Sequence, residues 1–181
     1  MGSTPSQTVG PFFEYALPYE GGERLVSPGD PDAIRIVGAV MDGDGAPVDD
    51  ALVEIWQANR HGRYRHPEDT REELPLEDGF TGFGRCATDA EGRFEFVTVK
   101  PGAVDGQAPH IGVCVLARGL LRQLYTRLYF PDEAEANAAD PLLSSIEDDA
   151  LRSTLIARAL DGVLAFDIHL QGERQTAFLD V

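Results

Sequence analysis

From Ile34 onward the chain is a series of short apolar runs separated by clusters of Gly, Asp and Pro, the pattern of many brief strands. Ile34 to Val40 is followed by Asp42-Gly43-Asp44-Gly45 and then by Ala51 to Trp56, which reads as two strands joined by a Gly/Asp turn. The motif recurs at Arg85 to Thr88, Asp89 to Gly92 and Arg93 to Val99. There Phe94 and Phe96 fall on one face, and a second hairpin is expected. Ile111 to Ala117 and Leu124 to Phe130 are two more strands, and Val163 to Gln171 sets Phe166, Ile168 and Leu170 against Asp167, His169 and Gln171. Many short strands at this spacing predict an all-β fold, an antiparallel sandwich or barrel.

One helix is expected from about Ser145 to Leu160. Ser145 can cap it, Glu147, Asp148 and Asp149 sit where the helix dipole favours anions, and Asp161-Gly162 ends it. Leu151, Leu155 and Ala159 recur every four residues and form one narrow apolar face. A shorter helical turn fits Asp132 to Ala139, closed by Asp140-Pro141. Residues 1–33 show no sustained period and are rich in Gly, Pro, Ser and Glu, so they read as an extended N-terminal arm before one domain over 34–181.

Charge narrows the partners. Asp plus Glu number 31 against 15 Lys plus Arg, a formal charge of -16 that repels phosphate backbones, so nucleic acid is not an expected partner. The same field disfavours a small anionic substrate unless a local Arg receives it. No Lys or Arg precedes Arg24, and no apolar run approaches a membrane span, which gives the expectation of a cytoplasmic protein without membrane contact. Cys86 and Cys114 read as reduced core residues.

The sequence contains no phosphate-binding loop, dinucleotide fingerprint, Gly-x-Ser-x-Gly elbow or Cys-x-x-Cys pair. What remains is His and Tyr. His61 and His66 lie in a loop segment and read as solvated, and His169 alternates with apolar neighbours and is expected to face outward. His110 follows Pro109 at the mouth of an apolar strand, where either a site or a hydrogen-bonded structural role is open to it.

Several strings, in order, resemble the intradiol ring-cleaving dioxygenases. They are Leu52-Val53-Glu54-Ile55-Trp56-Gln57-Ala58-Asn59, Gly62-Arg63-Tyr64-Arg65-His66, Gly84-Arg85-Cys86-Ala87-Thr88-Asp89, Val99-Lys100-Pro101-Gly102, Pro109-His110-Ile111 and Leu128-Tyr129-Phe130. Phe166-Asp167-Ile168 and Gln171-Gly172-Glu173 carry the likeness close to the C-terminus. The family's fold is an antiparallel β-sandwich. Thr4-Pro5-Ser6-Gln7-Thr8, Gly10-Pro11, Leu116-Ala117-Arg118-Gly119 and Thr126-Arg127-Leu128 are similar to the alpha chain of its two-chain members, in which only the beta chain holds ferric iron through two tyrosinates and two histidines.

Carried over by position, the resemblance makes Tyr64 the counterpart of the first tyrosine and His110 that of the first histidine. Gly112 stands where the second histidine is expected, Ala103-Val104 where the second tyrosine is expected, and Gln107 where the beta site uses an arginine. Half a ligand set does not hold Fe(III), a hard ion that needs several anionic or imidazole donors at once, so Tyr64 and His110 read as vestigial and no metal is expected in this chain. The resemblance implies a hetero-oligomer with an iron-bearing beta subunit that opens the ring of an aromatic dihydroxy acid such as protocatechuate. Thr8, Gly10 and Pro11 of the arm would line the partner's pocket, and Arg118 would receive the substrate carboxylate. The alternative from the strand pattern alone is a non-catalytic, transthyretin-like β-sandwich binding module.

Overall fold

A computed structural model describes residues 16–180, so Thr8, Gly10 and Pro11 lie outside the described residues. Among the described residues there are nine strands: β1 Ala33–Met41, β2 Leu52–Trp56, β3 Phe83–Ala87, β4 Arg93–Val99, β5 His110–Leu116, β6 Leu124–Tyr129, β7 Arg158–Leu160, β8 Val163–Ala165 and β9 Ile168–His169. Between β6 and β7 lie three short helices, α1 Ala134–Ala139, α2 Pro141–Ser145 and α3 Asp149–Ser153.

The strands form two sheets. One has the order β4-β1-β8-β7, with β9 also on β1, and the other has the order β3-β2-β5-β6. In β5 the period-2 alternation is clear, with Ile111, Val113 and Val115 buried and Gly112, Cys114 and Leu116 only half-buried. Those three join Val53, Ile55 and Leu128 on the inner face of the second sheet. They meet Ile36, Val40, Phe94, Phe96 and Ile168 from the first sheet in a single core. The sandwich is the expected architecture, except that β8 and β9 run parallel to β1. Gly38 permits this return: a Cβ there would stand 1.9 Å from the Phe166 carbonyl oxygen, and Asp167 accepts the Ala39 amide at 3.2 Å across the break between β8 and β9.

Three expectations need correction. The Asp42 and Asp89 turns form, each carboxylate accepting amides two and four residues on, but neither pairs the two strands that it joins into a hairpin. β1 pairs with β4 and β2 with β3 and β5, so each turn carries the chain from one sheet to the other. Turn chemistry specifies a reversal and leaves open which edge the next strand joins.

The second correction is the helix. Instead of one element over 145–160, α2 is capped by Asp140 and α3 by Asp148, and Arg158 to Leu160 is strand. Residues 155–157 are captured by β6: the Tyr129 amide donates to the Leu155 carbonyl at 2.8 Å and the Ala157 amide to the Tyr129 carbonyl at 2.9 Å. These bonds replace helical ones, while Leu155 is buried as expected and Ala159 is exposed.

The third concerns where the sandwich begins. Leu25 and Val26 are core residues, and the Leu25 amide donates to the Val97 carbonyl at 2.8 Å while the Val97 amide donates to the Glu23 carbonyl at 2.9 Å. The sandwich therefore starts well before Ile34. A single bridged segment has no period to read.

Candidate functional site

Tyr64 sits in the long connection between β2 and β3, which is held by buried polar side chains. Gln57 donates to the Val99 carbonyl at 2.9 Å and accepts from the Thr98 hydroxyl at 2.7 Å, fixing the start of the loop to β4. Asn59 accepts the amides of His61 and Arg63, both at 3.0 Å, and donates to the Pro75 carbonyl at 2.7 Å. Gly62 lies at φ +79°, and a Cβ there would be 2.3 Å from the Ala103 carbonyl oxygen, so this loop and the 101–110 segment touch only because the residue is glycine.

Asp69 accepts the Tyr64 amide at 2.8 Å and forms a two-pronged pair with Arg71 at 2.9 and 2.6 Å. Arg71 also donates to the Gly62 carbonyl at 3.0 Å. The hydrogen bond from Arg71 holds the Asp69 carboxyl well below the usual carboxylate range. A depressed native value contributes stability that is present above the unfolded value of about 4 and is lost as pH falls through the native one. Urea midpoints of the wild type should therefore decline as pH falls below about 4, and Asp69→Asn should be less stable at neutral pH with a flatter acid limb. Parallel acid limbs would remove Asp69 as the anchor of this loop.

The Tyr64 ring stacks on Trp56, with centroids 5.9 Å apart and planes 6° from parallel. His66 meets Trp56 edge-on at 6.1 Å. These residues, with Asp69, Arg71, Val104 and Asp105, line an open cleft of about 590 Å³. Burial raises the Tyr64 phenol above its ordinary value, so it stays protonated.

His110 opens β5 and is 7% exposed. Its Nδ1 lies 2.8 Å from the Ala108 carbonyl, which can only accept, so Nδ1 carries the proton and Nε2 is left as the basic nitrogen. Burial lowers the imidazole's pKa and keeps it neutral. Its ring lies 5.6 Å from that of Tyr129, its cross-strand partner in β6. The Tyr129 phenol is pushed up to about 12 by burial and donates to Asp140 at 3.2 Å. Asp140 also accepts the amides of Ala108 at 2.9 Å, Leu142 at 2.9 Å and Leu143 at 3.0 Å, which ties the site to the first turn of α2.

Ferric iron does not fit these residues. Tyr64 and His110 supply two of the four donors expected, and Gly112 offers nothing on the face where a second imidazole would project. The described residues hold no group of three His, Cys, Asp or Glu able to bind a metal ion. Val104 lines the same cleft as Tyr64, so the position expected of a second tyrosine is present with an aliphatic side chain in it.

The remaining candidates lie elsewhere. Arg118 follows the far end of β5, on the order of 25 Å from His110 at the rise of extended chain; it is 68% exposed and pairs with Asp50 at 2.8 Å. His61 is exposed beside Glu77, and His169 lies in β9, where its amide bonds Thr176 at 3.0 Å. Sequence reasoning passed over Asp69, Arg71 and Asp140 as site residues. Asp140-Pro141 was visible as a helix stop, but nothing local indicated four donors converging on it. Both cysteines are free, and burial pushes the Cys114 thiol up to about 12.

Comparisons with known proteins agree on one family. A family model described as dioxygenase matches residues 9–172. The chain is 43% identical to the protocatechuate 3,4-dioxygenase alpha chain of Burkholderia cepacia, over 98% of this chain and 97% of that one. It is 39% identical to the beta chain from the same organism, over 88% of this chain and 74% of that one. Among solved structures, the dioxygenase domain of a carbohydrate-binding fusion protein from Streptomyces sp. SirexAA-E superposes with a TM-score of 0.60 at 28% identity, covering 94% of this chain and 99% of that chain.

Proposed function

The chain belongs to the intradiol dioxygenase family, and from that premise we propose that it is the alpha subunit of a protocatechuate 3,4-dioxygenase, working in an alpha-beta hetero-oligomer in the cytoplasm. The observation that carries this reading is the end-to-end likeness to an alpha chain, 43% identical over 98% of this chain. The enzyme opens protocatechuate between its two hydroxylated carbons, both oxygen atoms of O2 entering the product, 3-carboxy-cis,cis-muconate. Iron, bound by the beta subunit, supplies the redox chemistry. Within the described residues no helix is long and apolar enough to cross a membrane.

This chain's own residues bind and orient. Thr8, Gly10 and Pro11 lend an edge to the partner's pocket, where a rigid backbone with little side chain can approach an aromatic ring closely. Arg118, held near one end of the sandwich by Asp50 with most of its side chain exposed, offers a guanidinium to the substrate carboxylate. Against the chain's charge of -16 this cation matters more than it would on a neutral surface.

Deleting residues 1–11 tests the reading. Leu25, Val26 and the bonds to Val97 all lie beyond the cut, so the domain should fold and assemble. The truncated complex should keep its iron and show a raised KM or a changed preference among catechols. Arg118→Ala should act in the same direction, more on substrates bearing a carboxylate than on catechol, with a loss of about 1.5 to 3 kcal/mol. Unchanged kinetics in a correctly assembled truncated complex would reduce the segment to a clasp between subunits.

A further inference from the structure

Residues 22–25 bridge the two sheets at one edge. The Arg85 amide of β3 donates to the Gly22 carbonyl at 2.7 Å, while Glu23 and Leu25 bond Val97 of β4. Two glycines allow this seat: a Cβ at Gly22 would stand 2.8 Å from the Arg85 carbonyl oxygen, and one at Gly84 would stand 2.4 Å from the Leu25 side chain. The chain just before this bridge is held by a side chain. The Arg85 guanidinium donates from Nη1 to the Leu17 carbonyl at 2.8 Å, and its Nε and Nη2 both meet Glu54, at 2.7 and 2.5 Å. Both side chains of the pair are only 20% exposed. Cross-strand partners share a face, so Arg85, Glu54 and Cys114 form one row on the outer side of the second sheet, next to the row of Trp56, Gly112 and Arg127. Leu17 is therefore fastened on the face that carries the Trp56 and Tyr64 cleft.

We propose that Arg85 aims the N-terminal arm: with Glu54 holding the guanidinium in place, its bond to Leu17 sets the point from which residues 8–11 reach the partner's pocket. Pro11 is six residues from Leu17, a span of at most about 20 Å of extended chain. An anchor at Leu17 thus restricts where those residues can be, and a pocket wall already in place costs less ordering on substrate binding than one that must be caught. Arginine suits the position because its planar fork bonds a carboxylate with two nitrogens and a carbonyl with the third, whereas a lysine ammonium has no such fixed geometry. Arg85 is a positioning residue, and the proposal rests on the reading that residues 8–11 line the partner's pocket.

The test is a two-by-two comparison in the assembled complex with a beta-type partner: Arg85→Lys and the unaltered residue, each with and without residues 1–11. Iron content, size-exclusion chromatography and thermal melting check that each complex is intact, and steady-state kinetics are read on protocatechuate. With the arm present, Arg85→Lys should raise KM about 3- to 10-fold and leave kcat within about 2-fold. With the arm deleted, the same substitution should change KM by less than about 1.5-fold, because nothing remains to aim. If Arg85→Lys melts early, a Gly-Gly insertion between Ala16 and Leu17 takes its place. The insertion keeps Arg85 and Glu54, displaces residues 8–11 relative to the anchor and should raise KM to the same extent.

An unchanged KM in the full-length Arg85→Lys complex would overturn the proposal. So would an equal rise with and without the arm, since Arg85 would then act through the domain, and so would a silent Gly-Gly insertion. A deletion of residues 1–11 that leaves KM unchanged would remove the reading of the arm, and the proposal with it. The two failures are told apart because the deletion alone is one of the samples compared.

Discussion

Replacing Asp140 by alanine should destabilise the domain by about 3 to 5 kcal/mol, the range of a buried polar hub whose partners are left unpaired. The carboxylate is fully buried. It accepts the Ala108, Leu142 and Leu143 amides and the Tyr129 hydroxyl, at 2.9, 2.9, 3.0 and 3.2 Å. Loss of the helix cap alone costs about 1 kcal/mol. The larger share comes from the Ala108 amide and Tyr129 hydroxyl, which would face apolar surroundings without an acceptor. Asp140→Asn keeps one acceptor and should cost less. Urea denaturation of the three proteins gives the comparison, and a loss below about 1 kcal/mol for the alanine variant would show that water replaces the carboxylate.

Leu155→Ala should cost about 2 to 5 kcal/mol, because the leucine is fully buried and its removal leaves a cavity that the surroundings close only in part. It packs in a satellite cluster with Ala108, Tyr129, Leu143 and Ala177. Its carbonyl takes the Tyr129 amide, so β6 and the 155–157 segment brace one another. A loss under about 0.5 kcal/mol would mean that this cluster is soft, and the site above it with it. Since Ala108 and Tyr129 also hold the surroundings of His110, both substitutions should broaden or shift the His110 ring resonances before global unfolding.

The two predictions show which parts of the molecule the sequence reveals. The apolar run Ile111 to Ala117 reads as strand from the sequence alone and forms β5, and the Asp42 and Asp89 turns form with the side-chain bonds that their residue types suggest. Partner choice between strands was not legible, because the register of β1 with β4 depends on a core assembled from distant segments. The expected 145–160 helix failed for a similar reason. Asp148 is a capping residue as good as Ser145, and the β6 edge takes up residues 155–157, which local spacing would have kept helical.

At the site, Tyr64, His110, Gly112 and Val104 were identified by resemblance, and the structure places Tyr64 and Val104 on one cleft and His110 beside Tyr129. Arg118, by contrast, stands at the other end of β5, so its role cannot be in the Tyr64 cluster. Arg127 entered the sequence reading only within the string Thr126-Arg127-Leu128, and the structure sets it between buried Thr126 and Leu128. Its meaning depends on what lies opposite, which no local pattern encodes. The binding-module alternative fitted the strand pattern equally well, and membership of the dioxygenase family removes its ground.

Where the iron resides is measured directly by metal content and visible absorption of this chain purified alone and in complex with a beta-type partner. The chain alone should be colourless, iron-free and inactive towards protocatechuate, and the complex should contain iron, absorb in the visible and cleave the ring. Stoichiometric iron with a tyrosinate absorption band in the chain alone would contradict it.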